Sequence, residues 1–184
     1  MTILQLEDFD LVSMRIVAGE NAVAFLNLLE MTRYWPEDIV SAKTVASYAE
    51  CKPGSVQSRG YCLVRRQDGW LAGRTHLGIC AHDKNMVSTE SAIRADCYGV
   101  GLGSILLAKT VALAHSRNYT RLGAVIDEEK QPSWQRYERL VEVGIAMREW
   151  QYDDGRYEHY RHYAMFTSAC ARSVWSALLP KAHP

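Results

Sequence analysis

The chain has no long apolar run, no excess charge of either sign, few prolines and no paired-cysteine motif. Each absence narrows what it can be. Lys+Arg 21 balances Asp+Glu 21 over 184 residues, so there is no basic excess for the phosphate neutralisation that drives nucleic-acid binding. No apolar stretch approaches the roughly 20 residues that a helix needs to cross a bilayer. The opening "MTILQLEDFDLVSMR" places Glu7, Asp8 and Asp10 where a secretory leader needs basic residues and then apolar ones. The five cysteines (Cys51, Cys62, Cys80, Cys97 and Cys170) are odd in number and never fall in CxxC spacing. That argues against a disulfide framework or a zinc site and for a reducing compartment. The expectation is a cytoplasmic protein with no membrane partner, no nucleic-acid partner and no metal. No repeat, low-complexity tract or Pro/Ser-rich linker divides the chain, so residues 1–184 read as one domain able to bury a real core.

What is present is a regular alternation of patterns. "TILQLEDF" suits a short first strand, and Leu11 to Arg33 carries mostly helix formers, with Gly19 as a candidate break. Pro36 suits the first turn of a second helix, with Glu37 and Asp38 at its positive end. This helix would bury Val40, Val45 and Ala49 and stop near Pro53-Gly54. "YCLVRRQDGWLAGRTHLGIC" reads as a hairpin turning at Asp68-Gly69. A further strand covers Met86 to Ala95, and a mostly apolar helix runs from Leu102 to Ser116. "TRLGAVID" is a compact strand, "PSWQRYERLVEV" a helix, and "GIAMREWQY", "DDG" and "RYEHYRHYAMF" a closing hairpin. Alternating elements together with two hairpins call for an α/β mixed sheet with helices on both faces.

The stretch "DCYGVGLGSILLAKT" carries the strongest local signal. Gly99, Gly101 and Gly103 stand between a strand and a helix. The first turn of a helix leaves amide groups without intrahelical partners at its positive end, and glycines remove the Cβ atoms that would keep an anion away. The spacing is not GxGxxG, because Ser104 sits where the third glycine should be, and no Gly-Lys-Ser/Thr follows. Taken alone, the stretch is equally a tight turn with no ligand.

"YGVGLGSILL" resembles the Arg/Gln-x-x-Gly-x-Gly/Ala signature of the GNAT superfamily of acyl-CoA-dependent N-acyltransferases, with Gly101 and Gly103 in its two glycine positions. "LVRRQDGWLAG" is similar to the second and third strands of that family, and "AVIDEEKQPSWQRYE" to its fifth strand, loop and tyrosine-bearing helix. "YEHYRHYAM" is similar to its closing strands, so the likeness spans about 60–166. Three departures stand out. Tyr98 occupies the Arg/Gln position, and Lys130 replaces a frequent Asn. The Tyr-x-x-x-Gly-Phe ending is stretched, with Gly144 three places late after Tyr137; an insertion at the helix end would absorb the difference.

The resemblance implies a mostly antiparallel sheet of six or seven strands, splayed between the fourth and fifth. It also implies direct transfer of an acetyl group from acetyl-CoA to a primary amine through a tetrahedral intermediate. Backbone amides of Tyr98, Gly99, Val100, Gly101, Leu102, Gly103 and Ser104 would grip the diphosphate. Ser91, Ile93 and Ala95 would line the pantetheine arm, with the Ile93 N–H as the donor to the reacting carbonyl. Tyr137 would give the departing thiolate its proton. Glu90, on the fourth strand, is the candidate base, although strict alternation sets it on the face opposite Ile93 unless a bulge intervenes. The acceptor amine carries no readable motif, and dimers are common in such folds. Two other readings stay open: a catalytically inactive CoA-binding or protein-interaction module of the same fold, and an acetyltransferase acting on a protein amine or an aminoacyl-tRNA. Elsewhere, His76 and His82 read as structural or exposed, and Cys97 as a buried thiol with no histidine partner.

Overall fold

The computed structural model describes residues 4–33, 39–79, 84–127, 141–151 and 157–166, with side chains described through Gly123. Along the chain the strands are β1 (Phe9–Ser13), β2 (Gly60–Arg65), β3 (Leu71–Ile79), β4 (Met86–Ile93), β5 (Arg121–Asp127), β6 (Val141–Gln151) and β7 (Tyr157–Phe166). The helices are α1 (Met14–Glu20), α2 (Ala22–Met31), α3 (Ala42–Ala49) and α4 (Leu102–Ser116). Hydrogen bonding orders the strands β1-β2-β3-β4-β5-β7-β6. The β1–β2, β2–β3, β5–β7 and β6–β7 pairs are antiparallel, and β4–β5 is parallel. This is the mixed α/β sheet that the patterning called for, and the mostly antiparallel one that the resemblance implied. The residues group into two compact units, Met1–Gly78 with Ser91–Thr110 and Ile79–Glu90 with Val111–Pro184.

In the first unit, period-2 alternation sorts the core onto both faces of the sheet. Cys62 of β2 packs with Met14, Phe25, Leu28 and Val45 of α1, α2 and α3. Its neighbour Leu63 packs instead with Phe9 and with Leu102, Ile105 and Leu106 of α4. Phe25, Leu28, Phe9 and Leu63 are all fully buried, each worth about 1.5–3 kcal/mol of transfer free energy. The hairpin turns where expected. Gly69 has φ +72, and Asp68 accepts from the Trp70 amide at 3.2 Å and from Arg65 Nε at 2.9 Å. The Arg65 contact is charge-assisted and pulls the Asp68 carboxyl down to about 2.

Three N-terminal expectations need correcting. The first strand is not residues 2–9 but Phe9–Ser13, paired from Phe9↔Arg65 to Ser13↔Tyr61. Leu6–Asp8 form a 3₁₀ turn, because the Asp8 carboxylate accepts the Gln5 amide at 3.0 Å and offers the backbone an alternative to the sheet. The helical stretch breaks at Asn21 rather than Gly19: the Asn21 side chain accepts the Ala24 amide at 3.1 Å and caps α2, which glycine cannot do. The next helix starts at Ala42 rather than Pro36. Ser41 and Thr44 bond reciprocally across its first turn, at 3.4 and 3.3 Å, and 34–38 lie outside the described residues. Its buried side is as expected, with Val45 in the core and Val40 and Ala49 packed against it.

In the second unit, β4 and β5 pair from Met86↔Arg121 to Thr89↔Ala124, although both strands continue beyond those residues. β7 lies between β5 and β6, pairing with β5 from Arg121↔Phe166 to Asp127↔Tyr160. α4 ends at Ser116, and Asn118, two residues on with φ +65, turns the chain towards β5. The tyrosine-bearing helix cannot extend to Val143, because β6 already begins at Val141. Residues 132–140 lie outside the described residues. Gly144 stands inside β6 at a register shift: Glu142 opposes Tyr163, Gly144 opposes His162, and Val143 is the extra residue of a bulge.

Gly73 of β3 has a packing reason to be glycine. A Cβ there would lie 2.7 Å from the Ala92 carbonyl oxygen and 2.7 Å from Ile93 Cδ1. Gly73→Ala is expected to lower stability by about 1–3 kcal/mol. Gly19→Ala, in a helix with nothing within 4 Å of the added carbon, should raise it by roughly 0.5–1 kcal/mol. Denaturant unfolding of the two variants would check both signs; equal effects would refute the packing account of Gly73.

Candidate functional site

The end of β4, a 3₁₀ turn at Ala95–Cys97 and the glycine stretch lead directly into α4. Gly99 has φ +84 and Gly101 φ +90, a conformation that L side chains rarely adopt. The glycine density is therefore a backbone requirement at these two positions. Gly103, inside the first turn of α4, has an ordinary φ, and no atom lies within 4 Å of where a Cβ would stand on any of the three. The turn is an open cradle rather than a packed corner.

Its donors are free of the protein. The first helical bonds run from the Ser104 and Ile105 amides to the Gly101 carbonyl, at 3.1 and 3.3 Å. Among the described residues, none of the amides from Tyr98 through Gly103 donates to a carbonyl or a side chain. α4 supplies its positive end at the same place. Leu102 is only 2% exposed, so the helix is fixed in the core from its first residue, while Tyr98 (72%) and Val100 (52%) stand in solvent. The six consecutive amides of Tyr98 through Gly103, with open space at all three glycines, fit a diphosphate, whereas Ser104, expected among them, donates its amide to Gly101 as the helix closes its first turn.

The other candidate residues are placed as follows. Ser91 Oγ lies 2.8 Å from Oγ1 of the fully buried Thr75, and the Ile93 side chain packs with the α4 cluster. Val87 and Thr89 are buried on the same alternation. Glu90, the next residue, is exposed, and Ser91, Ala92 and Ile93 are all half-buried. Ala95 is exposed in the 3₁₀ turn. Tyr137, Lys130 and His82 lie outside the described residues. The Cys97 thiol donates to Asp96 Oδ1 at 3.3 Å, and partial burial followed by the Asp96 carboxylate raises its pKa, the opposite of an activated nucleophile. Among the described residues, no three His, Cys, Asp or Glu side chains could hold a metal, and no helix is long and apolar enough to cross a membrane.

Two constellations escaped the sequence reading. The first is a polar cluster on β3. Arg74 donates from Nε to Thr32 Oγ1 at 3.0 Å, and its NH1 lies 3.4 Å from His76 Nδ1; His76 Nε2 lies 3.3 Å from the Tyr48 hydroxyl. A guanidinium only donates, so Nδ1 accepts and Nε2–H donates to Tyr48, tying β3 to α3. The second is the two-pronged pair of Arg94 with Asp96, at 3.0 and 2.8 Å, directly before the glycines. An Arg-x-Asp spacing ahead of a glycine turn is the only mark it leaves in sequence.

Comparison with known proteins bears on the fold. No protein-family model and no curated protein matches the chain. Solved structures do. A chimera of the spermidine N-acetyltransferase SpeG from Vibrio cholerae and hSSAT superposes with a TM-score of 0.70 at 17% identity, over 90% of this chain and 99% of that one. Ribosomal-protein-alanine N-acetyltransferase from Brucella melitensis gives 0.63 at 17% identity, over 86% and 98%. An acetyltransferase of the GNAT family from Streptococcus pneumoniae gives 0.61 at 18%, over 86% and 98%. The chain therefore has the GNAT acetyltransferase fold that its glycine signature resembles.

Gly101→Ala should cost about 1–2 kcal/mol of stability from its backbone conformation alone. Gly103→Ala should cost nothing, because it adds a good helix former in open space. Thermal and denaturant unfolding would separate the two; a neutral Gly101→Ala would contradict the left-handed turn.

Proposed function

We propose that the protein is an N-acyltransferase that moves an acetyl group from acetyl-CoA to a primary amine. The observation that carries this reading is the cradle of unbonded, uncovered amides at Tyr98 to Gly103, in a fold shared with acetyltransferases. The named acceptors of two neighbours, spermidine and a ribosomal-protein alanine, are both acetylated on nitrogen, which supports an amine as the acceptor class.

The co-substrate supplies an activated thioester; the chain has to hold and aim it. Amides of Tyr98 through Gly103 bind the diphosphate, and Ser91, Ile93 and Ala95 run beside the pantetheine arm. The Ile93 amide, at the last residue of β4, stabilises charge on the carbonyl oxygen, a contribution of roughly 3–4 kcal/mol for one well-placed donor. The attacking amine must be neutral, so a proton leaves it; Glu90, exposed on β4, takes this proton through water. As the carbon–sulfur bond breaks, Tyr137 gives its phenolic proton to the thiolate. The start of β6 at Val141, four residues after Tyr137, matches the interval of the family's Tyr-x-x-x-Gly ending and supports that assignment.

Saturating acetyl-CoA should raise the melting temperature, since a ligand that binds only the folded state stabilises it. Gly101→Glu should abolish that rise by placing bulk and negative charge at the phosphates. Tyr137→Phe should keep the rise and lose about 100-fold or more in kcat, measured as thiol release with a panel of amines. No thermal response at millimolar acetyl-CoA would sink the reading. Binding without turnover on any amine would point to a CoA-binding module instead.

A further inference from the structure

A turn built on two left-handed glycines is intrinsically loose, because glycine loses more conformational freedom on ordering than any other residue. Amides can receive an anion without a large ordering cost only if the turn is held at both ends. On its far side it is held by Leu102, Ile105 and Leu106, all buried against Phe9, Leu63 and Ala72. Its near side is anchored more weakly: the 3₁₀ turn Ala95–Cys97 contains no buried residue and no side-chain cap, and of its three residues Cys97, partly exposed, packs against the same cluster.

What holds the near side is Arg94. Its amide donates to the Ala72 carbonyl at 3.2 Å, and its carbonyl accepts the Cys97 amide at 3.0 Å. Its guanidinium donates to both carboxylate oxygens of Asp96, from Nε at 3.0 Å and from a terminal nitrogen at 2.8 Å. The same guanidinium stacks over Trp70 at 5.4 Å, and Trp70, at the foot of the β2–β3 hairpin, packs against the α4 cluster. The Asp96 oxygen that receives Nε also accepts the Cys97 thiol. Arg94 is 19% exposed and Asp96 47%, so an ion pair in this position adds little to global stability. Its geometry is specific all the same: two parallel bonds fix the plane of the carboxylate and with it the path of residues 95–97.

We propose that Arg94, through its fork on Asp96, is the positioning residue that holds the near end of the glycine turn ready for the diphosphate of CoA. This rests on the reading of the turn as the CoA site. The pair acts on binding and not on chemistry, since neither side chain is asked to touch a reacting atom. The pair also holds through ordinary pH: the hydrogen bonds from Arg94 keep the Asp96 carboxyl down at about 2, so the fork is intact above the usual carboxylate range and is lost only as pH falls towards that value.

The test compares Arg94→Gln, Asp96→Asn and the charge-exchanged double Arg94→Asp/Asp96→Arg with the native chain, by titration of CoA and by KM and kcat for acetyl-CoA. Positioning predicts that both single variants weaken CoA binding by about three- to tenfold. It also predicts that kcat at saturation stays within about twofold, that the melting temperature hardly moves, and that the double variant recovers part of the affinity. A purely electrostatic role predicts opposite signs: Arg94→Gln leaves a bare carboxylate near the phosphates and weakens binding, whereas Asp96→Asn leaves a bare cation and tightens it. Tighter binding by Asp96→Asn, or unchanged binding in both single variants, overturns the proposal. A native chain that fails to bind CoA in the same titration overturns instead the reading on which the proposal rests.

Discussion

Everything at the candidate site depends on one junction, where Gly101 at φ +90 is followed at once by Leu102 at 2% exposure. Within a single residue the backbone passes from an uncovered, left-handed turn to the interior. Burial of Leu102 with Ile105 and Leu106 fixes the direction of α4, and that direction aims its first amides and its dipole outward across the glycines. Were the helix anchored a turn later, its first amides would fray; were the turn covered by side chains, no anion could reach them.

The sheet makes this junction affordable in structural terms by having two working faces. In β2, Cys62 belongs to the layer of α1, α2 and α3, and Leu63 to the layer of α4. The buried Cys62 thiol is pushed up to about 12 by desolvation, so it behaves as a small apolar side chain. The close approach at Gly73 then lets β4 lie tight against β3 where it delivers Ile93 and Arg94 to the turn. The strand end is therefore positioned by packing, with glycine at position 73 where a side chain would meet Ala92 and Ile93.

Much of this was legible in the residues. Asp68-Gly69 marked the hairpin because a tight turn needs positive φ, and Gly69 has it. α4 was bounded correctly from Leu102 to Ser116, because a glycine turn and an apolar run leave little choice. Boundaries set by side-chain competition for backbone were not legible. Asp8 diverts a strand-like stretch into a turn, Asn21 rather than Gly19 splits a helix, and the Ser41–Thr44 pair sets the start of α3 at Ala42. The stretch before Val143 ran at helical period yet its end is strand, since pairing with β7 overrode local pattern at Val141. At the site, the glycines announced themselves, whereas the Arg94–Asp96 fork depends on a turn that brings together residues two apart. No periodicity signals that.

The strand order β5-β7-β6 has a consequence for the newborn chain. As it leaves the ribosome, β5 can pair with β4, but its other edge must wait for the chain to pass through β6 and return. Until residues 157–166 arrive to fill the gap, that flank is an open template for any extended segment nearby. β6 emerges first and is the wrong occupant, so an early β5–β6 pairing would have to be undone before the native ladder could close. Late synthesis and slow closure of this edge make the C-terminal strands the stretch where a chaperone would do most good.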